Sequence, residues 1–253
     1  MLLRQTFIIF LTSFIILSSN IAKAEAIIVY GNENKPPKAY IKNGKPHGIL
    51  VDIVKYASKK MNIDIQVQLY PWKRAQFLAA KGEGGIIGFA NTPSRSKTFE
   101  YSEYPMFIDE ASLVTTKEKS IEINSIKDLN GKRLVQIRGA SHGKEFEESI
   151  NSVFELMEAD SNKAILLMLL KGRADVAIIN PGNKALKMII DANEELHPYR
   201  ESFIMLDKSL GLVPNYLAFA KQKNMTKLLK KFSQVMKEGY ESGEIQKIIE
   251  QHY

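Results

Sequence analysis

The sequence predicts an α/β protein of two lobes, each a β/α sandwich, joined by two extended hinge segments. Three observations carry this. Strand-type and helix-type segments alternate over residues 27–90, and they alternate again after Gly131. Extended runs at 108–116 and 212–221 separate and follow the second unit. Alternation of this kind puts a parallel sheet between layers of helices. On this reading residues 25–111 form lobe 1. Residues 112–212 form lobe 2, with hinge segments at both ends, and 213–253 return to lobe 1 and finish in helices.

Residues 1–24 read as a leader to be removed rather than as fold. Arg4 gives a positive start, residues 7–17 are apolar apart from Thr12 and Ser13, and Ala22-Lys23-Ala24 suits cleavage. That is the pattern of a secretory signal peptide, and the run is short of the roughly 20 apolar residues a spanning helix needs. The expected location is therefore periplasmic. The segment carries Arg4 and Lys23 and no acid, so its removal lowers the formal charge of +7 to +5. The basic residues are scattered, which gives no basic stripe for nucleic acid. With no cysteine, an exported chain must rest on its hydrophobic core.

Residues 27–30 are a short β-type run, broken by a Gly-Asn-Pro-Pro segment. Leu50, Ile53, Val54, Ala57 and Met61 then share one helical face. IQVQLY alternates as a strand, a helix follows over 72–80, and GGIIGFA is another strand. After the polar SIKDLNGKR passage, KRLVQI predicts a strand, KEFEESI a helix and SVFELM a strand. NKAILLMLLKG is apolar almost all round, which predicts a buried helix. ADVAII is a strand, PGNKALKMIIDA a helix, SFIML a strand and LVPNYLAFAK an extended return, before two closing helices. Two lobes crossed more than once enclose a cleft, the usual place for a small ligand.

Several residues invite chemistry. Gly139-Ala140-Ser141-His142-Gly143 fits the G-x-S-x-G nucleophile elbow between a strand and a helix. Its downstream histidines are only His197 and the penultimate His252, and no HGGG-type loop exists. Two other uses of the turn are a Ser141 helix cap and a carboxylate or phosphate seat at a helix start. Gly82, Gly84, Gly85 and Gly88 miss the dinucleotide spacing and precede a strand, so no nucleotide cofactor is implied. The four histidines show no metal spacing. Arg95 follows the third strand of the first unit, at the carboxyl end where such sheets bind ligands. Its planar fork suits a carboxylate, although an arginine in a polar loop is ordinarily solvated. Thr92-Pro93 and Asn180-Pro181 both read as caps with proline, and Asn180 holds the place in lobe 2 that Arg95 holds in lobe 1. Trp72 suits either the core or a flat wall under a ligand.

Taken together, these stretches resemble the family 3 solute-binding proteins, periplasmic or lipid-anchored receptors of ABC importers, mostly for polar amino acids. The resemblance rests on PPKAY with KPHGILVDIV, on YPWKRAQFLAAKGEGGIIGFANTPSRSKTFEYSEYPMF, on SIKDLNGKRLVQIRGAS, and on LKGRADVAIIN and LGLVPNYLAFAK. It implies a type II periplasmic-binding-protein fold and a binding role without chemistry. Arg95 stands where the family's arginine clamps a ligand α-carboxylate, Ser141 where a hydroxyl supports it, and Trp72 where an aromatic stacks on the ligand. Thr92 and Tyr40 join them as candidate contacts. The departures are Asn180 in place of an acid that grips the α-ammonium, Gly88 and Ala90 in place of small hydroxyl residues, and Lys35 in place of an aromatic. The resemblance thus implies a ligand with an anionic group but without the usual ammonium contact. The expected partners are a small anionic or zwitterionic solute and an ABC permease or membrane sensor, with the chain a monomer. An enzyme on the same scaffold, acting as a dehydratase on cyclic carboxylic acids, would need His142 or Glu110 as its general acid or base.

Overall fold

The computed structural model describes residues 26–119, 121–150 and 152–253. The leader reading of residues 1–24 lies outside them. Strand β1 (Ile27–Asn32) leads into a small antiparallel sheet of β2 (Asn34–Lys35), β3 (Ala39–Lys42) and β4 (Lys45–His47), which the sequence reading did not foresee. Helix α1 (Ile49–Met61) follows and buries the predicted face of Leu50, Ile53, Val54, Ala57 and Met61. It ends at Asn62 in the left-handed conformation, φ 54°, which a short amide side chain tolerates. Next come β5 (Ile65–Tyr70), α2 (Trp72–Ala80), β6 (Gly85–Ala90) and a short β7 (Phe99–Tyr101). The long β8 (Phe107–Thr116) leads out of this lobe.

The second unit contains β9 (Arg133–Ile137), α3 (Lys144–Ser149), β10 (Glu155–Ala159), α4 (Asn162–Leu170), β11 (Val176–Ile178) and α5 (Gly182–Asp191). Strand β12 (Phe203–Ala220) returns to the first lobe, where α6 (Thr226–Glu241) and α7 (Glu244–Glu250) pack on α1.

One curled sheet runs through both lobes in the order β10-β9-β11-β8-β12-β6-β1-β5, with β7 on β12. At one end β5, β1 and β6 are parallel, and at the other β10, β9 and β11 are parallel. Antiparallel β8 and β12 join them. The lobe limits read at 111/112 and 212/213 both fall inside these two crossing strands.

Two predicted boundaries move. SFIML and LVPNYLAFAK are one strand, β12, because both ends find ladder partners: Phe203 opposite Thr116 and Asn215 opposite Phe107. The intervening turn signals, including Gly211 at φ 105°, become register shifts instead of a break. Strand β10 starts at Glu155 rather than near Ser152, since Ser152 and Val153 close a turn on the Ser149 carbonyl.

Each lobe has its own apolar core. In the first, Ile53, Phe232 and Met236 are wholly buried between α1 and α6; in the second, Val135, Ile165 and Ala177 are wholly buried between β9, β11 and α4. Each large side chain so buried contributes about 1.5–3 kcal/mol, which suits a chain without disulfides.

Candidate functional site

A cavity of about 560 Å³, counting its mouth, lies between the lobes. Trp72, Gly88, Ala90 and Arg95 reach it from lobe 1, Ser141, His142 and Asn180 from lobe 2, and Lys35 from the small sheet. Thus Arg95, Ser141, Trp72, Asn180, Gly88, Ala90 and Lys35 come together as the sequence suggested. Two candidates do not. Thr92 is buried beside the cavity rather than lining it, and its hydroxyl accepts from the Arg95 backbone N–H (3.3 Å). It shapes the turn that presents the arginine. Tyr40 lies on β3, its ring 6.3 Å from that of His47, and is not among the lining residues.

Arg95 is half-buried. Its guanidinium lies over the Phe89 ring at 4.1 Å, and Phe89 in turn meets Trp72 edge-on at 5.9 Å. Arg95 donates to the backbone carbonyls of Ala90 (3.0 Å) and Gly139 (2.9 Å). Among the described residues it has no carboxylate partner, and burial pulls its pKa below the usual arginine value. A guanidinium held in this way, with no carboxylate in ion-pair contact among the described residues, is a seat for an anion. The Gly139 carbonyl also accepts from Trp72 Nε1 (3.2 Å) and Gln76 Nε2 (3.1 Å). Three donors of lobe 1 therefore converge on one carbonyl of lobe 2. Asn162 Nδ2 adds a second link between the lobes, to the Asn34 carbonyl (2.9 Å).

The sequence reading missed three residues at the bottom of the cavity. Asp109 (β8), Lys38 and Asn215 (β12) are 1%, 5% and 3% exposed and all line it. Lys38 Nζ and Asn180 Nδ2 both donate to Asp109 Oδ2, and Lys38 Nζ also donates to Asn215 Oδ1 (3.1 Å). Asn180 is therefore no free neutral substitute for an acid: its amide is tied to a buried aspartate next to it. That bond directs the Asn180 N–H side to Asp109 and leaves Oδ1 buried without a partner. Gly88 has φ 67°, and a Cβ there would sit 2.6 Å from Leu50 Cδ1 and 3.7 Å from Asn215 Oδ1. Only glycine fits both that backbone and that space. Beside the pair, burial and the Lys38 charge lower the Lys35 pKa to about 8, so its ammonium is still charged at neutral pH.

The remaining readings of the turn fare differently. Ser141 does not cap α3, whose cap position is Gly143; its hydroxyl donates to Glu147 Oε1 (2.8 Å). A hydroxyl so engaged has acceptor capacity left but no second proton, so Arg95 carries the larger share of any carboxylate contact. The histidines a nucleophile elbow would require are placed elsewhere: His197 is exposed beside the Asp191 carbonyl, and His252 pairs with Asp52 on α1. Glu110 is exposed, because it alternates with the inward Asp109 along β8. His142 is buried with Nε2 unpaired, and burial beside Lys35, Lys38 and Arg95 holds its pKa well below the usual histidine value. Among the described residues no group of acids and histidines could hold a metal ion, and no helix is long and apolar enough to cross a membrane.

The sequence pattern of the bacterial extracellular solute-binding proteins, family 3, matches residues 27–253. The probable amino-acid-binding protein YxeM of Bacillus subtilis is 22% identical over 86% of this chain and 80% of its own. Among solved structures, the amino-acid ABC transporter substrate-binding protein AbpA of Streptococcus pneumoniae, bound to L-arginine, superposes with a TM-score of 0.71 at 18% identity, over 90% of this chain and 94% of that one. A histidine kinase sensor domain with similarity to periplasmic binding proteins superposes at 0.73 and 18%, over 90% and 95%. At these identities the likeness speaks for the fold: a type II periplasmic-binding-protein architecture.

Proposed function

The chain belongs to the bacterial extracellular solute-binding proteins, family 3, and on that footing we propose that it captures a small carboxylate-bearing solute, an amino acid or a related acid, for import by an ABC permease. One observation carries the reading: Arg95 lines the inter-lobe cavity with its charge unpaired by any carboxylate among the described residues. A ligand carboxylate would take the guanidinium over Phe89, Trp72 would form the wall, and the lobes would close by flexing β8 and β12. Release from a signal peptide into the periplasm belongs to the same reading. AbpA, which binds L-arginine, shows that this architecture accommodates an amino acid.

The test is calorimetry on the mature chain with whichever acid raises its melting point in a thermal-shift screen of organic acids and amino acids. Arg95→Ala should weaken binding by about 2–5 kcal/mol. Unchanged affinity would remove Arg95, and this reading with it. Likeness to the sensor domain favours a second use of the same cleft, in which the loaded form docks on a membrane sensor rather than a permease. Co-purification with each membrane partner would separate the two.

A further inference from the structure

We infer that the cleft is built for a short dicarboxylate that carries no ammonium group. The inference rests on the solute-binding reading above and narrows its ligand. Four charged side chains line the cavity: Lys35, Lys38, Arg95 and Asp109. The single acid is already satisfied. Its Oδ2 accepts from Lys38 and Asn180, and its Oδ1 from the Glu110 backbone N–H (3.1 Å). The ammonium that would pair with a cavity acid is thus supplied by the chain itself, as Lys38, fixed by Asn215 on its other side. A zwitterion entering this cleft would bring its ammonium against Lys35 and Lys38, with no uncommitted carboxylate to receive it.

The charges left over are both positive. Among the described residues the Arg95 guanidinium donates only to backbone carbonyls, and the Lys35 ammonium has no hydrogen-bond or ion-pair partner. They come from different elements, the turn after β6 and strand β2, and each can take one anionic group of its own. Leaving either half-buried cation without an anionic partner is unfavourable, and a dicarboxylate relieves both together. The acceptor still open at the bottom, Asn180 Oδ1, suits a hydroxyl donor on the ligand.

The test is calorimetry on the mature chain with matched acids: L-malate against L-aspartate, which exchange a hydroxyl for an ammonium, glutarate against L-glutamate, and butyrate as the monocarboxylate. We expect each dicarboxylate to bind at least about tenfold more tightly than its amino counterpart. Lys35→Met, at a position with no partner to lose, should bring glutarate to within about threefold of butyrate. Lys38→Met, if it folds, should shift the preference toward the amino acids by freeing Asp109. Preference for L-aspartate or L-glutamate in the natural chain would overturn the inference, as would a Lys35→Met chain that keeps the gap between glutarate and butyrate. So would no heat with any of these acids. None of those results touches the broader reading, which fails only if a bound solute ignores Arg95→Ala.

Discussion

Replacing Asp109 with asparagine keeps the shape of the side chain and removes its charge. Lys38, 5% exposed, would then hold an ammonium in the protein interior over the Phe107 ring (5.6 Å), with only amide oxygens to accept from it. Breaking a buried pair by removing one partner costs about 3–5 kcal/mol, a large share of the roughly 5–15 kcal/mol that holds a domain together. For a chain of this size about 1 kcal/mol corresponds to 2–4 °C in Tm, so Asp109→Asn should melt roughly 6–20 °C lower. Replacing both partners by apolar residues, Lys38→Met with Asp109→Leu, removes the stranded charge as well and should recover most of that loss. Scanning calorimetry of the natural chain, Lys38→Met, Asp109→Leu and the double variant completes the cycle, with Asp109→Asn measured beside it. If Asp109→Asn melts within about 2 °C of the natural chain, or the double variant melts below both singles, Lys38 and Asp109 are not a mutually dependent buried pair.

Two further outcomes are expected. The Asp175 carboxylate accepts from the Arg133 guanidinium (Nε 3.0 Å, one terminal nitrogen 2.9 Å), the Arg133 backbone N–H (2.9 Å) and Lys119, and these hold its pKa well below the usual carboxylate range. Its contribution is present above the unfolded value of about 3.9 and fades as pH falls through the lower folded value; melting curves taken downward from about pH 5 should therefore fall less steeply below about pH 4 in Asp175→Asn. Gly88→Ala should cost about 1–3 kcal/mol for its left-handed backbone, lowering Tm and, by pressing on Leu50, weakening whichever acid the calorimeter registers.

The elements of regular period were legible in the sequence. The apolar face of α1 and the alternation of β5 each follow from a single repeat, and packing then agrees with them. The candidate site was legible where its cavity is lined from the ends of strands, as at Arg95 after β6 and Asn180 after β11. The bottom of the cavity was harder. Asp109 did leave a trace: it lies in the inward phase of β8, between Phe107 and Ala111, while Ile108 and Glu110 face out. Attention to that phase would have chosen Asp109 over Glu110. Asn215 shares an inward phase with Val213 and Leu217 in β12. Lys38 left none, because it follows a proline turn with no repeat to fix its direction, and its burial depends on an aspartate 71 positions away. Partnerships across that distance come from the fold, not from local pattern.

The crossing strands β8 and β12 are well paired at their ends, Phe203 with Thr116 and Asn215 with Phe107, but the ladder slips twice between Met205 and Leu212. A ribbon with slack in its middle yields by twisting over several residues, not by pivoting at one bond. Opening rates should then respond in small, graded steps to changes along this ribbon, with no single residue acting as an axle. Tempo could in that way be adjusted from outside the cleft, leaving what the cleft selects untouched.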